Sequence, residues 1–206
     1  MKKKKYTKDW NMSNEVREEK KKKISSGLAW TIFIAVIMVS SIIGYMWIGG
    51  NEAEFEYNGH KIARTDNGFA YAKDGNKFMF KFFPSELEGI KGNTSLSLLN
   101  RPMFYLTFDP ESGIVESMDV LRFDFSSDLP KLNVYFQQGV LNRSSIYNFT
   151  VIDCINATAN VPVVKFIESN ETKVTEKDNC LIFEAKSNYD VIKLKDLMLY
   201  SLLGVI

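Results

Sequence analysis

Hydrophobic and polar positions change period twice along this chain. From Leu28 to Ile48 the sequence LAWTIFIAVIMVSSIIGYMWI holds no charged residue. As a helix rising about 1.5 Å per residue it spans roughly 31 Å, close to the bilayer's hydrocarbon thickness of about 30 Å. After Gly49-Gly50, a flexible joint, the period becomes two. AEFEY, HKIART, FAYAK and KFMFKFF alternate, and Asn58-Gly59, Asp66-Asn67-Gly68 and Asp74-Gly75 separate them. Such turns tolerate the positive φ of tight hairpins, so the pattern predicts an antiparallel β-meander. Phe55, Tyr57, Phe78, Phe80 and Phe82 give it an aromatic face, which must be buried under the rest of the domain or under a partner.

Further along, Pro84-Ser85 opens a helical turn with Ser85 and Glu88 in capping-box register. MFYLTF is a strand closed by Asp109-Pro110-Glu111-Ser112-Gly113. IVESMDVLRFDF fits both periods: Val115, Met118, Asp119 and Arg122 have helical spacing, while Val120, Arg122 and Asp124 alternate. A helix is the preferred assignment. YNFTVID, VPVVKFI and CLIFEA are strands, the middle one a continuous apolar run suited to a central position. From Asn188 the period is helical, with Ser187 and Asp190 as a capping box and a stripe of Val191, Leu194, Met198, Leu202 and Val205. The expected class is α+β: an N-terminal transmembrane helix, then one domain with an antiparallel β-meander, further sheet strands and a long C-terminal helix.

Charge orients these parts. Residues 1–27 carry ten Lys or Arg against four acids, while residues 49–206 are net −5. Basic residues beside a membrane helix stay on the cytoplasmic side. The expected organisation is a cytoplasmic basic tail (1–27), a transmembrane helix (28–48) and an extracytoplasmic domain (49–206) on the cell membrane. Trp30, Tyr45 and Trp47 suit the interfacial belts. A cleaved signal peptide has a shorter apolar region and a small-residue cleavage site, whereas this run ends in Tyr45-Met46-Trp47. A buried core helix and a pilin-type leader processed at Gly27 are the other readings. For the latter, Ile24-Ser25-Ser26 separates the last Lys from Gly27. Ser40 and Gly44 form a small-xxx-small pair.

Two cysteines, Cys154 and Cys180, match neither a redox C-x-x-C nor a zinc motif. On the oxidising side they are expected to be bridged, removing roughly 3 to 3.5 kcal/mol of unfolded-chain entropy. Sequons begin at Asn93, Asn142, Asn148, Asn156 and Asn170, candidates for glycosylation on exposed loops. An Asn-rich composition is the competing explanation. Asn11 starts another on the inner side. His60, the only histidine, follows a hairpin glycine and reads as an exposed strand residue. Asp119, Arg122 and Asp124 evoke a carboxylate site but read as a solvated or salt-bridged face. No nucleophile elbow, P-loop, dinucleotide fingerprint or zinc-protease helix occurs, so no catalytic, cofactor or metal residue is assigned. A net-negative outer domain disfavours nucleic acid.

The second half resembles a group of uncharacterised single-pass membrane proteins from small-genome archaea. Asp153-Cys154, Asn156-Ala157-Thr158, Val161-Pro162-Val163, Asn179-Cys180-Leu181-Ile182, Asp196-Leu197 and Leu202-Leu203-Gly204-Val205 carry the resemblance. It implies an anchor plus an outer domain and brings no catalytic residue with it. The expected function is a non-catalytic, membrane-anchored interaction or cell-envelope protein. Its partners are then the lipid bilayer and another membrane or envelope protein. The alternatives are a pilin-like or secretion-machinery subunit assembled through its apolar helix, and a surface hydrolase.

Overall fold

A computed structural model describes residues 26–48, 53–92 and 96–206, and the chain divides after Asn51 into two units. Residues 1–25 of the basic tail, Gly49-Gly50, and the sequons at Asn11 and Asn93 lie outside the described residues. In the first unit, α1 (Ser26–Ile48) is a 23-residue helix without a charged side chain. Thr31 Oγ1 donates to the Gly27 carbonyl, and Ser40 and Ser41 both donate to that of Ile37. These hydroxyls thus satisfy themselves on the helix's own backbone. Counted on residues whose side chains are described, no helix is long and apolar enough to cross a membrane. In α1 those residues are Gly27 and 30–41 alone.

The second unit is α+β. Its first sheet is the antiparallel meander β1 (Glu54–Tyr57), β2 (His60–Thr65), β3 (Gly68–Lys73) and β4 (Asn76–Phe80), in that order. Asn58 and Asp74 turn with φ of 49° and 51°, each followed by a glycine, as the hairpin sequences require. Ile62, Tyr71, Phe78 and Phe80 point into the core. Phe55 remains 41% exposed, resting edge-on against Phe83. The helical turn starts at Pro84, but its cap lies two residues earlier than expected: Glu86 Oε2 accepts from the Phe83 amide at 2.7 Å.

The second sheet is built from β5 (Met103–Phe108), β6 (Tyr135–Val140), β7 (Thr150–Val151), β8 (Val163–Glu168), β9 (Lys173–Lys177) and β10 (Cys180–Ala185). Their order is β7-β6-β5-β8-β10-β9, parallel throughout except for β9. The ambiguous segment is a helix, α2 (Val115–Asp128), crossing from β5 to β6; α3 (Asn188–Leu203) closes the chain and packs on α2. Ser187 caps α3 through the Asp190 amide, and Gly204 ends it with φ of 75°. Phe104, Leu106, Phe108, Val164, Phe166, Leu181 and Phe183 are fully buried in one core with residues of both helices. As expected for a continuous apolar run, VPVVKFI contributes an interior strand.

The opposite face of this sheet is covered differently. YNFTVID pairs only over Thr150–Val151, because the chain then leaves the sheet edge and runs across its face. Thr107 Oγ1 donates to the Ile152 carbonyl at 2.7 Å, Lys165 pairs with Asp153 at 2.8 Å, and a disulfide joins Cys154 to Cys180. Ile152, Val163 and Cys180 form a small second cluster there. The disulfide therefore does not link neighbouring strands. β6, β5 and β8 stand between β7 and β10, and the bridge ties the covering segment down.

Candidate functional site

The strand alternation of β4 sends Phe78 and Phe80 inward, and Tyr200 of α3 stacks on Phe80 with centroids 3.8 Å apart. Among the described residues no strand pairs with the outer edge of β4. Across from that edge runs α2, and between them is a groove of about 590 Å³ floored by Val191, Ile192 and Lys195 of α3. Lys77, Met79 and Lys81 line one wall, and Val120, Phe123 and Asp124 line the other. Met79, Val120 and Phe123 are 44%, 56% and 78% exposed.

Backbone groups along β4 alternate in direction. The Lys77 carbonyl accepts from Lys131 Nζ at 3.4 Å and the Lys81 amide donates to Asp196 Oδ2 at 2.7 Å, so both point off the sheet. Met79, midway between them, presents its amide and carbonyl on the same side.

A buried charge network fixes this wall. Asp196 is fully buried on α3, and its Oδ2 also accepts from the Phe82 amide at 3.0 Å. Burial pushes its carboxyl up to about 6, although Lys195 and the two amides pull the other way. Lys195 reaches Asp196 at 3.5 Å and Asp124 of α2 at 2.7 Å. Burial lowers the lysine, but the two carboxylates outweigh it and hold it above its ordinary value. Oδ1 of Asp196 has no hydrogen-bond partner among the described residues. Sealed in this way, the carboxylate holds backbone and meets no solvent.

The residues singled out from sequence scatter. Asp119 and Arg122 pair with one another, and the Tyr147 hydroxyl reaches both Asp119 oxygens at 3.0 Å. Arg122 donates to Gln138 Oε1 at 2.8 Å and sits over the rings of Phe108, Tyr147 and Phe149. Asp124 turns away to Lys195, so the three do not converge. His60 is half-buried rather than exposed, with Nδ1 2.8 Å from the Tyr71 hydroxyl. Asn142, Asn148, Asn156 and Asn170 are all exposed. Lys195 has no sequence assignment and Asp196 enters only through the resemblance; a charged pair inside the apolar run of α3 is the signal that was available.

In sheets with this kind of order, ligands gather beyond the carboxyl ends of strands where the order reverses. Here that place lies past β5 and β8, and Glu168 occupies it, accepting from the Gly113 amide at 2.8 Å. Among the described residues no group of three or more His, Cys, Asp or Glu is arranged to hold a metal ion. Comparison with family models, with curated proteins and with solved structures found no match.

Proposed function

We propose that this chain is a membrane-anchored protein of the cell envelope whose outer domain binds another surface component without catalysing a reaction. Residues 28–48 form the anchor, with the basic tail inside and residues 49–206 outside. The single observation that carries this reading is the Cys154–Cys180 disulfide in the domain that follows an uncharged 23-residue helix. A bridge of this kind belongs to an oxidising compartment. The exposed Asn142, Asn148, Asn156 and Asn170 are then open to glycan transfer where the host supplies the enzyme.

The test is topology. Protease applied to intact cells should remove the outer domain and leave the lysine-rich tail, and alkaline carbonate should not strip the protein from membranes. Survival of the domain with loss of the tail would refute the orientation. A mature N-terminus beginning at Leu28 would replace the anchor with a pilin-like assembly helix.

A further inference from the structure

We infer that Asn148 is the acceptor at which the folded domain takes an N-linked glycan, and that this glycan covers the outer edge of β7. The inference deepens the reading above and rests on it only for the compartment in which transfer takes place. Of the described sequons, all four are exposed, and their hydrogen bonds separate one from the rest.

Transfer makes two demands on an acceptor. The asparagine carboxamide must be free to enter the enzyme, and the hydroxyl two residues on must be free to be read with it. Three sequons fail the second demand. Thr158 Oγ1, serving Asn156, accepts from the Val161 amide at 3.0 Å, and Asn156 Oδ1 itself accepts from the Asp153 amide at 2.9 Å. Ser144, serving Asn142, accepts from the amides of Ile146 and Tyr147. Thr172, serving Asn170, donates to Asp190 in the first turn of α3. Only the pair Asn148 and Thr150 holds no side-chain hydrogen bond among the described residues.

Their neighbours keep them so. Tyr147 and Phe149 are half-buried, their ring centroids 5.1 and 5.0 Å from Arg122 Cζ. Alternation in an extended run then turns Asn148 and Thr150 outward together. Thr150 opens β7, whose outer edge pairs with no strand among the described residues. Ile146 and Val151, 80% and 45% exposed, flank the acceptor. A bare strand edge beside exposed apolar side chains invites association, and a bulky hydrophilic chain at Asn148 blocks it.

The donor class is a lipid-linked oligosaccharide diphosphate. Nδ2 of Asn148 attacks C1 of its first sugar, and a C–N bond forms as the C1–O bond to the diphosphate breaks. The lipid diphosphate leaves with that electron pair, and a base on the transferase takes the amide proton.

The test uses the full chain, made in a bacterium without a transferase and folded with its disulfide in detergent micelles. It is incubated with a purified single-subunit oligosaccharyltransferase and a lipid-linked oligosaccharide, and glycopeptide mass spectrometry follows each site. Four synthetic peptides, one per described sequon, give the rate of each acceptor when unfolded. The ratio of folded-chain rate to peptide rate should be at least about tenfold higher at Asn148 than at Asn142, Asn156 or Asn170. Thr150→Ala should abolish transfer there, and Thr150→Ser should keep it. An equal or higher ratio at any other of these sites would overturn the assignment. So would transfer to the Asn148 peptide with none to the folded chain.

Light scattering of the modified chain against Asn148→Gln tests the cover. The variant should associate at least about fivefold faster, and adding Ile146→Ser should slow it. Equal rates would remove the covering role. Purified components make site use independent of the topology experiment, so failure of either result leaves the other standing.

Discussion

Tyr200 lies flat against Phe80, ring planes 10° apart, while its hydroxyl donates to the Phe82 carbonyl at 3.1 Å. One side chain of the last helix thus fastens both the floor and the end of β4. Burial, with Asp196 nearby, pushes the phenol well above its ordinary value, so it stays protonated and keeps its proton for the Phe82 carbonyl. Tyr200→Phe should cost about 1 kcal/mol for the lost hydrogen bond, and Tyr200→Ala about 3–5 kcal/mol for the lost ring. Urea titrations followed by near-UV circular dichroism measure both. Equal losses in the two variants would show that the stack contributes nothing.

Asp196 predicts a pH dependence with an unusual sign for a carboxylate. Its folded value, about 6, lies above the ordinary 3.8, so the folded state binds its proton more tightly than the unfolded state. The stability it contributes is therefore full below 3.8 and is lost as pH rises through about 6. Asp153 and Asp190 are opposed by burial but lowered by Lys165 and by Ser187 with Lys193, and their contribution disappears only below 3.8. Asp196→Asn keeps an acceptor for the two amides and should flatten the stability slope between pH 4 and 6 by on the order of 2 kcal/mol. An unchanged slope in the variant would assign that slope to other groups.

The disulfide holds Asp153 and its neighbours against the sheet face. Replacing both Cys154 and Cys180 with Ser should lower stability by roughly 3 kcal/mol. It should also speed amide exchange in residues 152–161 more than in β10. Mass spectrometry of deuterium uptake reads this directly; uniform acceleration across the domain would mean that the bridge acts on the unfolded chain alone.

Gly68 and Gly75 both have positive φ, 138° and 77°, but differ in surroundings. A Cβ at Gly75 meets nothing within 4 Å, whereas one at Gly68 would sit 2.1 Å from the Phe80 carbonyl oxygen. Gly75→Ala should cost about 1 kcal/mol for the left-handed backbone alone. Gly68→Ala should cost several times as much, because backbone must move. Thermal denaturation compares them, and similar midpoints would contradict the close approach.

Local chemistry made much of this protein legible before any tertiary contact was known. The meander follows from alternation plus Asn-Gly and Asp-Gly turns, and α3 from its cap at Ser187 and its period, because these preferences act within a few residues. The uncharged length of α1 and the presence of two cysteines are equally local facts. What only the tertiary structure decided is non-local pairing. Parallel neighbours such as β5 and β8 are joined through long excursions whose sequence carries no mark of the partner. For the same reason the route of Ile152–Val161 across the sheet, and with it the task of the disulfide, was hidden. The groove depends on three segments meeting at β4, α2 and α3. Met79, Phe123 and Lys195 become one surface only when the core beneath them closes.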